Sequence, residues 1–348
     1  MTYDIAPGET ASAWGFDPTR LDAWLRANVP GASGPMTLDP IAGGQSNPTF
    51  FVSYPGRRLV VRKRPSGPVL PSAHAIDREH RIMKALAGTG VPVPVMLAYR
   101  AEPDVVGTAF YVMERLEGRV FGDCSLPGVA PADRRAMFLA MADTLARLHQ
   151  VDWRARGLAD FGREGNFFQR QVGRWTKQWQ LSKTRELPEI ERVAAWLTAN
   201  VPADETTTIA HGDFRMGNLM FHPTEPRVVG VLDWELSTLG HPLADVAYSA
   251  LAWRLLPTEY MGMRGLDHAS LGIPSEDEYL ERYHAAAPAF GRVTVFHFAF
   301  SMFRGAVIFE GIADRARTGA ATSANAAAVG ALSAAFARRA LEAIEGAR

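Results

Sequence analysis

At 348 residues the chain is long enough to bury a large core, as one big two-lobed domain or as two ordinary ones. Its 47% hydrophobic, 10% aromatic and 21% charged content describes a soluble globular protein. With 37 Lys and Arg against 37 Asp and Glu, no broad electrostatic pull toward nucleic acid or an anionic membrane is expected. Cys124 is the only cysteine, which excludes an intrachain disulfide and a cysteine metal site. The acidic, polar start is unlike a signal peptide, and there is no uninterrupted apolar run of about 18 residues. A cytoplasmic protein without a membrane span is the expectation.

Asp17-Pro18 reads as an N-cap followed by proline at the first helical position. Leu21, Trp24, Leu25 and Asn28 then fall on helical spacing, so a short amphipathic helix is expected before the break at 30–35. Strands follow over 36–42, 49–54 and 58–62, the last two joined by a Pro55-Gly56 turn. A helix over 77–87 directs Ile76, Met83 and Leu86 to a core and stops at Gly88-Thr89-Gly90. Two more strands, 95–99 and 108–113, run into Glu114-Arg115-Leu116-Glu117-Gly118. From Pro131 the pattern turns helical: Met137, Met141, Leu145 and Leu148 mark one long helix, and 167–180 and 189–200 mark two others. Short strands at 207–210, 219–221 and 228–232 precede four helical stretches, at 243–256, 276–286, 293–317 and 323–345. The expected architecture is a small β-rich lobe over 1–117 with a leading helix, a hinge near 114–118 and a large α-helical lobe over 118–348. A nucleotide would sit in the cleft between the lobes.

The most specific signal lies in the second lobe. His211-Gly212-Asp213-Phe214-Arg215-Met216-Gly217-Asn218 places Asp213 and Asn218 five residues apart, and Asp233 follows a second apolar run in Val231-Leu232-Asp233-Trp234-Glu235. Phosphoryl transfer from a nucleotide needs one carboxylate to orient an acceptor hydroxyl, and an amide oxygen with a second carboxylate to hold magnesium against the phosphates. Asp213, Asn218 and Asp233 have the types and spacing that a kinase catalytic loop uses for this. His211 fits a loop brace better than a chemical role. Arg215 suits either a phosphate contact or a pair with a loop carboxylate, and Glu235 either a further metal-side carboxylate or a helix-entry charge.

Upstream, Gly43, Gly44, Ser46 and Asn47 lie between two strands, where glycines let a backbone approach phosphates; alone, such a Gly-Gly is ordinarily a turn. In Leu59-Val60-Val61-Arg62-Lys63, Arg62 takes the place of a kinase strand lysine. Adjacent strand residues face opposite ways, so only one of Arg62 and Lys63 can turn inward, and Arg62 is the first choice. Glu79, early on the next helix, is the natural partner of that cation. Met113 would line an adenine pocket, with backbone groups of Glu114 and Leu116 reaching the adenine edge.

The strings Gly-Gly-Gln-Ser-Asn-Pro-Thr-Phe, Val-Val-Arg-Lys-Arg-Pro, His-Gly-Asp-Phe-Arg-Met-Gly-Asn and Leu-Asp-Trp-Glu-Leu-Ser-Thr-Leu-Gly-His-Pro-Leu-Ala-Asp span both lobes. Through them the chain resembles the aminoglycoside phosphotransferase/choline kinase family, within it the branch that includes the kinase-like module fused to certain acyl-CoA dehydrogenases. The resemblance implies an α+β, protein-kinase-like fold with a small antiparallel β N-lobe and a large helical C-lobe. It implies ATP or GTP as donor, Mg2+, Asp213 as catalytic base, Asn218 and Asp233 as metal ligands, and Asp245 as the carboxylate that braces the catalytic loop. Arginine in the lysine position departs from the pattern and changes reach and hydrogen-bond geometry. Only eleven residues separate Asp233 from Asp245, too few for an activation segment, so a small-molecule hydroxyl is favoured over a protein substrate.

For the acceptor, Arg170 and Arg174, with Lys177 and Lys183, mark a basic stretch, and Arg304 joins Phe300, Met302 and Phe303. A basic, apolar-walled site with Arg170, Arg174, Arg304 and Glu235 as substrate contacts suits a hydroxy acid or hydroxyacyl compound better than a polycation. The rivals are an aminoglycoside or amino-alcohol kinase, a kinase-fold binding module without catalysis, and a phosphohydrolase with His211, Asp213, Asp233, His241 and Asp245 as two-metal ligands.

Overall fold

The strand-like runs of residues 36–62 become three consecutive antiparallel strands, β1 (Thr37–Pro40), β2 (Thr49–Tyr54) and β3 (Arg57–Lys63), in a computed structural model that describes residues 14–41, 47–66, 75–319 and 326–347. Tyr54 pairs with Arg57 across the Pro55-Gly56 turn, and β2 alternates half-buried and buried positions, so Phe50, Val52 and Tyr54 share one face. With β4 (Met96–Arg100) and β5 (Phe110–Glu114) they form a five-stranded antiparallel sheet of order β1-β2-β3-β5-β4.

One face of this sheet buries Leu38, Phe50, Val52, Leu59, Val61 and Phe110 against α1 (Pro18–Asn28). Asp17 caps α1 by accepting the Thr19 N–H at 2.9 Å, ahead of Pro18 at the first helical position. The other face carries α2 (Ile76–Leu86), which packs on β4 and β5 through Ile76, Ile82, Met83 and Leu86.

This compact unit comprises Met1–Glu117 together with Asp233–Glu235; the second comprises Gly118–Leu232 and Leu236–Arg348. A division into two contiguous lobes at 117/118 does not anticipate that Asp233–Glu235 groups with the first unit.

The second unit is helical. It holds α3 (Pro131–His149), α4 (Phe167–Ser182), α5 (Pro188–Ala199), α6 (Pro242–Ser249), α7 (His268–Leu271), α8 (Glu276–Ala286), α9 (Val295–Arg317), α10 (Ala326–Gly330) and α11 (Leu332–Gly346). Two short antiparallel ribbons complete it: β6 (Thr208–Ala210) with β9 (Thr238–Gly240), and β7 (Leu219–Phe221) with β8 (Val228–Val231). The α+β class is as expected. Two helices differ from the sequence reading: the stretch at 243–256 ends as α6 at Ser249 and continues as a 3-10 turn, Ala250–Trp253, and the last is interrupted between α10 and α11. The Ser249 hydroxyl bonds to Val246 O and to the Tyr279 hydroxyl, which fixes the chain where the helix changes.

Helix α9 is the spine of this unit, in contact with α4, α5, α6, α10 and α11. By length and composition it would cross a membrane, yet 72% of its apolar window is buried inside the protein, which is the signature of a core helix. It starts in a reciprocal capping box between Thr294 and His297. Burial, then the neighbouring His241, push the His297 pKa from 6.5 to about 3. A histidine neutral in the fold but basic when unfolded contributes stability above pH 6.5 that is lost as pH falls toward 3, roughly 2 kcal/mol of it by pH 5. His297→Gln keeps an acceptor for the capping box and removes the titration. The fall in Tm between pH 7 and 5 should therefore shrink; a fall as large as that of the wild type would contradict this role.

Candidate active site

Arg62 and Lys63 leave β3 on opposite faces, and the partners on each face separate them. Lys63 turns toward the α1 side, its Nζ 5.2 Å from the centre of the Phe16 ring and 3.5 Å from Ser66 Oγ. Arg62 turns toward α2, where its Nε lies 3.1 Å from Glu79 Oε2, at ion-pair distance though off the line of a hydrogen bond. The expected nucleotide contact at Lys63 is thus corrected by strand alternation.

Glu79 is 1% exposed and also accepts from Asn47 Nδ2 (2.6 Å) and the Tyr111 hydroxyl (3.0 Å). Burial pushes its carboxyl above the ordinary value, with Arg62 and Tyr111 pulling against it and Asp233 and Glu235 adding to the rise. Burial opposes the Arg62 charge, but Glu79, Tyr111, Asp233 and Glu235 outweigh it and hold the guanidinium above its usual range.

Arg62 Nη2 also donates to Asp233 Oδ1 at 3.2 Å. Asp233 follows β8 in a left-handed conformation, φ 62°, which aspartate tolerates better than most side chains but which still stores strain. Glu235 sits in a 3-10 turn, Trp234–Leu236, near enough for its charge to reach Arg62 and Glu79. That location places Glu235 beside Arg62 and Glu79.

Met113 lies on the same sheet face as Tyr111 and is half-buried, as is Leu116. The Glu114 N–H donates to Val95 O at 3.0 Å and its carboxylate pairs with Arg57 at 3.0 Å, which leaves its carbonyl as the backbone group for an adenine edge. Gly43, Gly44 and Ser46 lie outside the described residues.

The catalytic-loop motif leaves β6 and is braced from beneath. Buried Asp245, in the first turn of α6, accepts the His211 N–H at 2.6 Å and the Gly212 N–H at 2.9 Å. Burial opposes its ionisation, but His149, His211 and the Gly212 N–H more than compensate and hold its carboxyl below the ordinary value. Gly212 has φ 83°, and a Cβ there would stand 2.6 Å from Leu236 O, so this position requires glycine. His211 donates from Nε2 to Leu232 O (2.9 Å) and accepts the Asp213 N–H at Nδ1 (3.2 Å).

Asp213 is held on every side. The Tyr248 hydroxyl donates to Oδ1 at 2.5 Å, Asn218 Nδ2 donates to Oδ2 at 2.7 Å and to the Asp213 carbonyl at 2.9 Å, and Arg215 Nε is 3.3 Å from Oδ2. Of the two options for Arg215, the structure shows the pair with a loop carboxylate. Because the Asn218 nitrogen is committed to Asp213, its amide oxygen is the end left to face a cation. That oxygen and the Asp233 carboxylate are each a hard donor of the kind magnesium prefers.

Asp213 also lines a cavity of about 190 Å³ inside the second unit. Its walls are mostly apolar, among them Phe138, Met141, Leu251, Ile308 and Phe309, and its charged members are Asp213, Arg215 and Arg304. Of the three arginines expected to contact substrate, Arg304 lines this cavity and Arg170 and Arg174 do not. The Arg170 guanidinium donates to the carbonyls of Arg163, Glu164 and Gly165 and ties down the chain before α4, and Arg174 is exposed beside Trp175. Phe300, Met302 and Phe303 are core residues of α9. Tyr248 was missed by the sequence reading. Its position three residues after Asp245 on one helix was the available signal.

The phosphohydrolase arrangement does not form. Both His211 ring nitrogens are engaged with backbone, His241 bonds Asp204 (3.1 Å) and the Leu243 N–H (3.3 Å), and Asp245 serves loop N–H groups. Among the described residues no three His, Cys, Asp or Glu side chains gather as a metal site.

A family model described as the phosphotransferase enzyme family matches residues 37–292. Acyl-CoA dehydrogenase family member 10 of Mus musculus is 47% identical over 300 residues, covering 85% of this chain, and family member 11 of Rattus norvegicus is 40% identical over 310 residues, covering 86%. The chain spans only 28% and 40% of the length of those two proteins. A solved structure from Ralstonia eutropha, provisionally assigned as an aminoglycoside phosphotransferase, is 45% identical with a TM-score of 0.87, covering 95% of this chain and 99% of that one. Aminoglycoside phosphotransferase APH(4)-Ia, solved with AMP-PNP and hygromycin B, shares the kinase-like fold at 16% identity and a TM-score of 0.59, over 92% of this chain and 98% of that one. The chain therefore belongs to the phosphotransferase enzyme family.

Proposed function

We propose that the protein transfers the γ-phosphoryl group of ATP to the hydroxyl of a small apolar molecule, a hydroxy acid or hydroxyacyl compound. The observation that carries this reading is the cavity at Asp213. Its walls are mostly apolar and, among the described residues, Asp213 is the one carboxylate in its lining, a poor home for a polycationic amino sugar and a good one for an alkyl or acyl chain. The names of the Mus musculus and Rattus norvegicus relatives, both acyl-CoA dehydrogenases, support an acyl-linked acceptor.

In this reading the acceptor hydroxyl donates a hydrogen bond to Asp213, which Tyr248 and Asn218 hold in one orientation. The acceptor oxygen bonds to the γ-phosphorus as the bond to the β,γ-bridging oxygen breaks. ADP leaves and the acceptor proton passes late to Asp213. Positioning therefore contributes more to rate than basicity. Asn218 and Asp233 would hold magnesium, and Arg62 would meet the phosphates. Bound magnesium supplies neutralisation of the phosphate oxygens.

The test is ADP release with Mg2+ and ATP across hydroxydecanoic acids, their CoA thioesters, kanamycin and choline. Turnover with the acids or thioesters, and little with kanamycin or choline, is expected. The reverse preference would overturn the acceptor assignment.

A further inference from the structure

We infer that Arg304 is the specificity-determining residue of the acceptor cavity and binds an anionic group on the molecule whose hydroxyl meets Asp213. The inference rests on the reading of that cavity as the acceptor site. Elsewhere in the second unit, the half-buried arginines are satisfied by carboxylates or by backbone carbonyls: Arg254 by Glu276 at 2.6 Å, Arg339 by Glu259 at 2.8 Å, and Arg119, Arg134 and Arg170 by main-chain oxygens. Arg215, the other cation of the cavity, is matched to Asp213. Arg304 is half-buried and lines the same apolar walls, yet no described residue offers it an ion pair or a hydrogen bond.

Instead its guanidinium lies 5.8 Å from the ring centre of Trp175 and 5.8 Å from that of Tyr248. Aromatic faces retain a guanidinium at an apolar wall without using its N–H donors. A half-buried charge with unspent donors is costly unless something completes it, and a carboxylate does so through two parallel hydrogen bonds. Tyr248 links the two ends of the site, its hydroxyl on Asp213 and its ring beside Arg304. The carboxylate that orients a hydroxyl and the cation that awaits an anion thus stand on either side of one tyrosine. Arg304 belongs to α9, against which α4, α5, α6, α10 and α11 all pack, so its backbone is held in place.

The experiment compares a hydroxydecanoic acid with a neutral decanediol as acceptors, in the wild type, Arg304→Gln and Arg304→Lys. The ratio of kcat/KM for the acid to that for the diol should fall about tenfold to a hundredfold in R304Q, with the loss mainly in KM for the acid, and R304K should restore part of it. A merely structural role would lower both acceptors alike and leave the ratio unchanged, which would overturn the inference. If the wild type phosphorylates the acid and the diol, and Asp213→Asn stops both, while R304Q leaves the ratio intact, only the role of Arg304 falls. If the wild type phosphorylates neither, the acceptor-site reading falls with it.

Discussion

Asp213→Asn should lower phosphoryl transfer by about 10²- to 10⁴-fold while leaving AMP-PNP affinity within a factor of a few. The carboxylate receives Tyr248 on one oxygen and Asn218 and Arg215 on the other, so every group around it is a donor. An amide at this position turns one oxygen into a nitrogen that faces donors, and it gives the acceptor proton no place to go. Both losses act on the reacting centre, whereas Arg62, which would meet the nucleotide phosphates, and its partner Glu79 belong to the sheet unit and keep their contact. Calorimetric titration with AMP-PNP alongside ADP release separates the two effects. Turnover within a few-fold of the wild type would remove Asp213 from the base role.

Arg62→Ala should cost the sheet unit about 3 kcal/mol, measured as a lowered urea midpoint, and should raise KM for ATP. Glu79 would remain 1% exposed without its cation. The cost falls at the low end for a broken buried pair because Asn47 and Tyr111 still bond Glu79, whose already raised pKa lets it take up a proton. Arg62→Lys should recover part of the stability. A single ammonium replaces an arm that reaches Glu79 through Nε and Asp233 through Nη2. A midpoint unchanged by R62A would show that the buried pair contributes nothing measurable.

Much of this was legible because its causes are local. Strand alternation over 49–63, the Asp17-Pro18 start and the long apolar periods of α3 and α9 follow from periods of two and 3.6 residues and from capping chemistry. The His211–Asn218 motif was readable because its spacing has no simple packing explanation. What escaped depends on partners distant in sequence. β9 is three residues long and exists only beside β6. Ser249, where the helix after His241 ends, bonds the hydroxyl of Tyr279. Arg170 and Arg304 look alike as letters, yet one binds the carbonyls of its own loop and the other lines a cavity built by α3, α6 and α9. The Glu114 N–H is spent on Val95, which only the sheet order reveals. Charge and residue type alone could not separate these cases.

The most direct measurement is phosphorus NMR of a reaction holding the full chain, ATP, Mg2+ and a hydroxydecanoic acid or its CoA thioester. A phosphomonoester resonance growing in step with ADP, and absent with Asp213→Asn, is the expected spectrum. Inorganic phosphate as the sole new signal, or a phosphomonoester that forms equally well without the Asp213 carboxylate, would contradict phosphoryl transfer to an acceptor held at that residue.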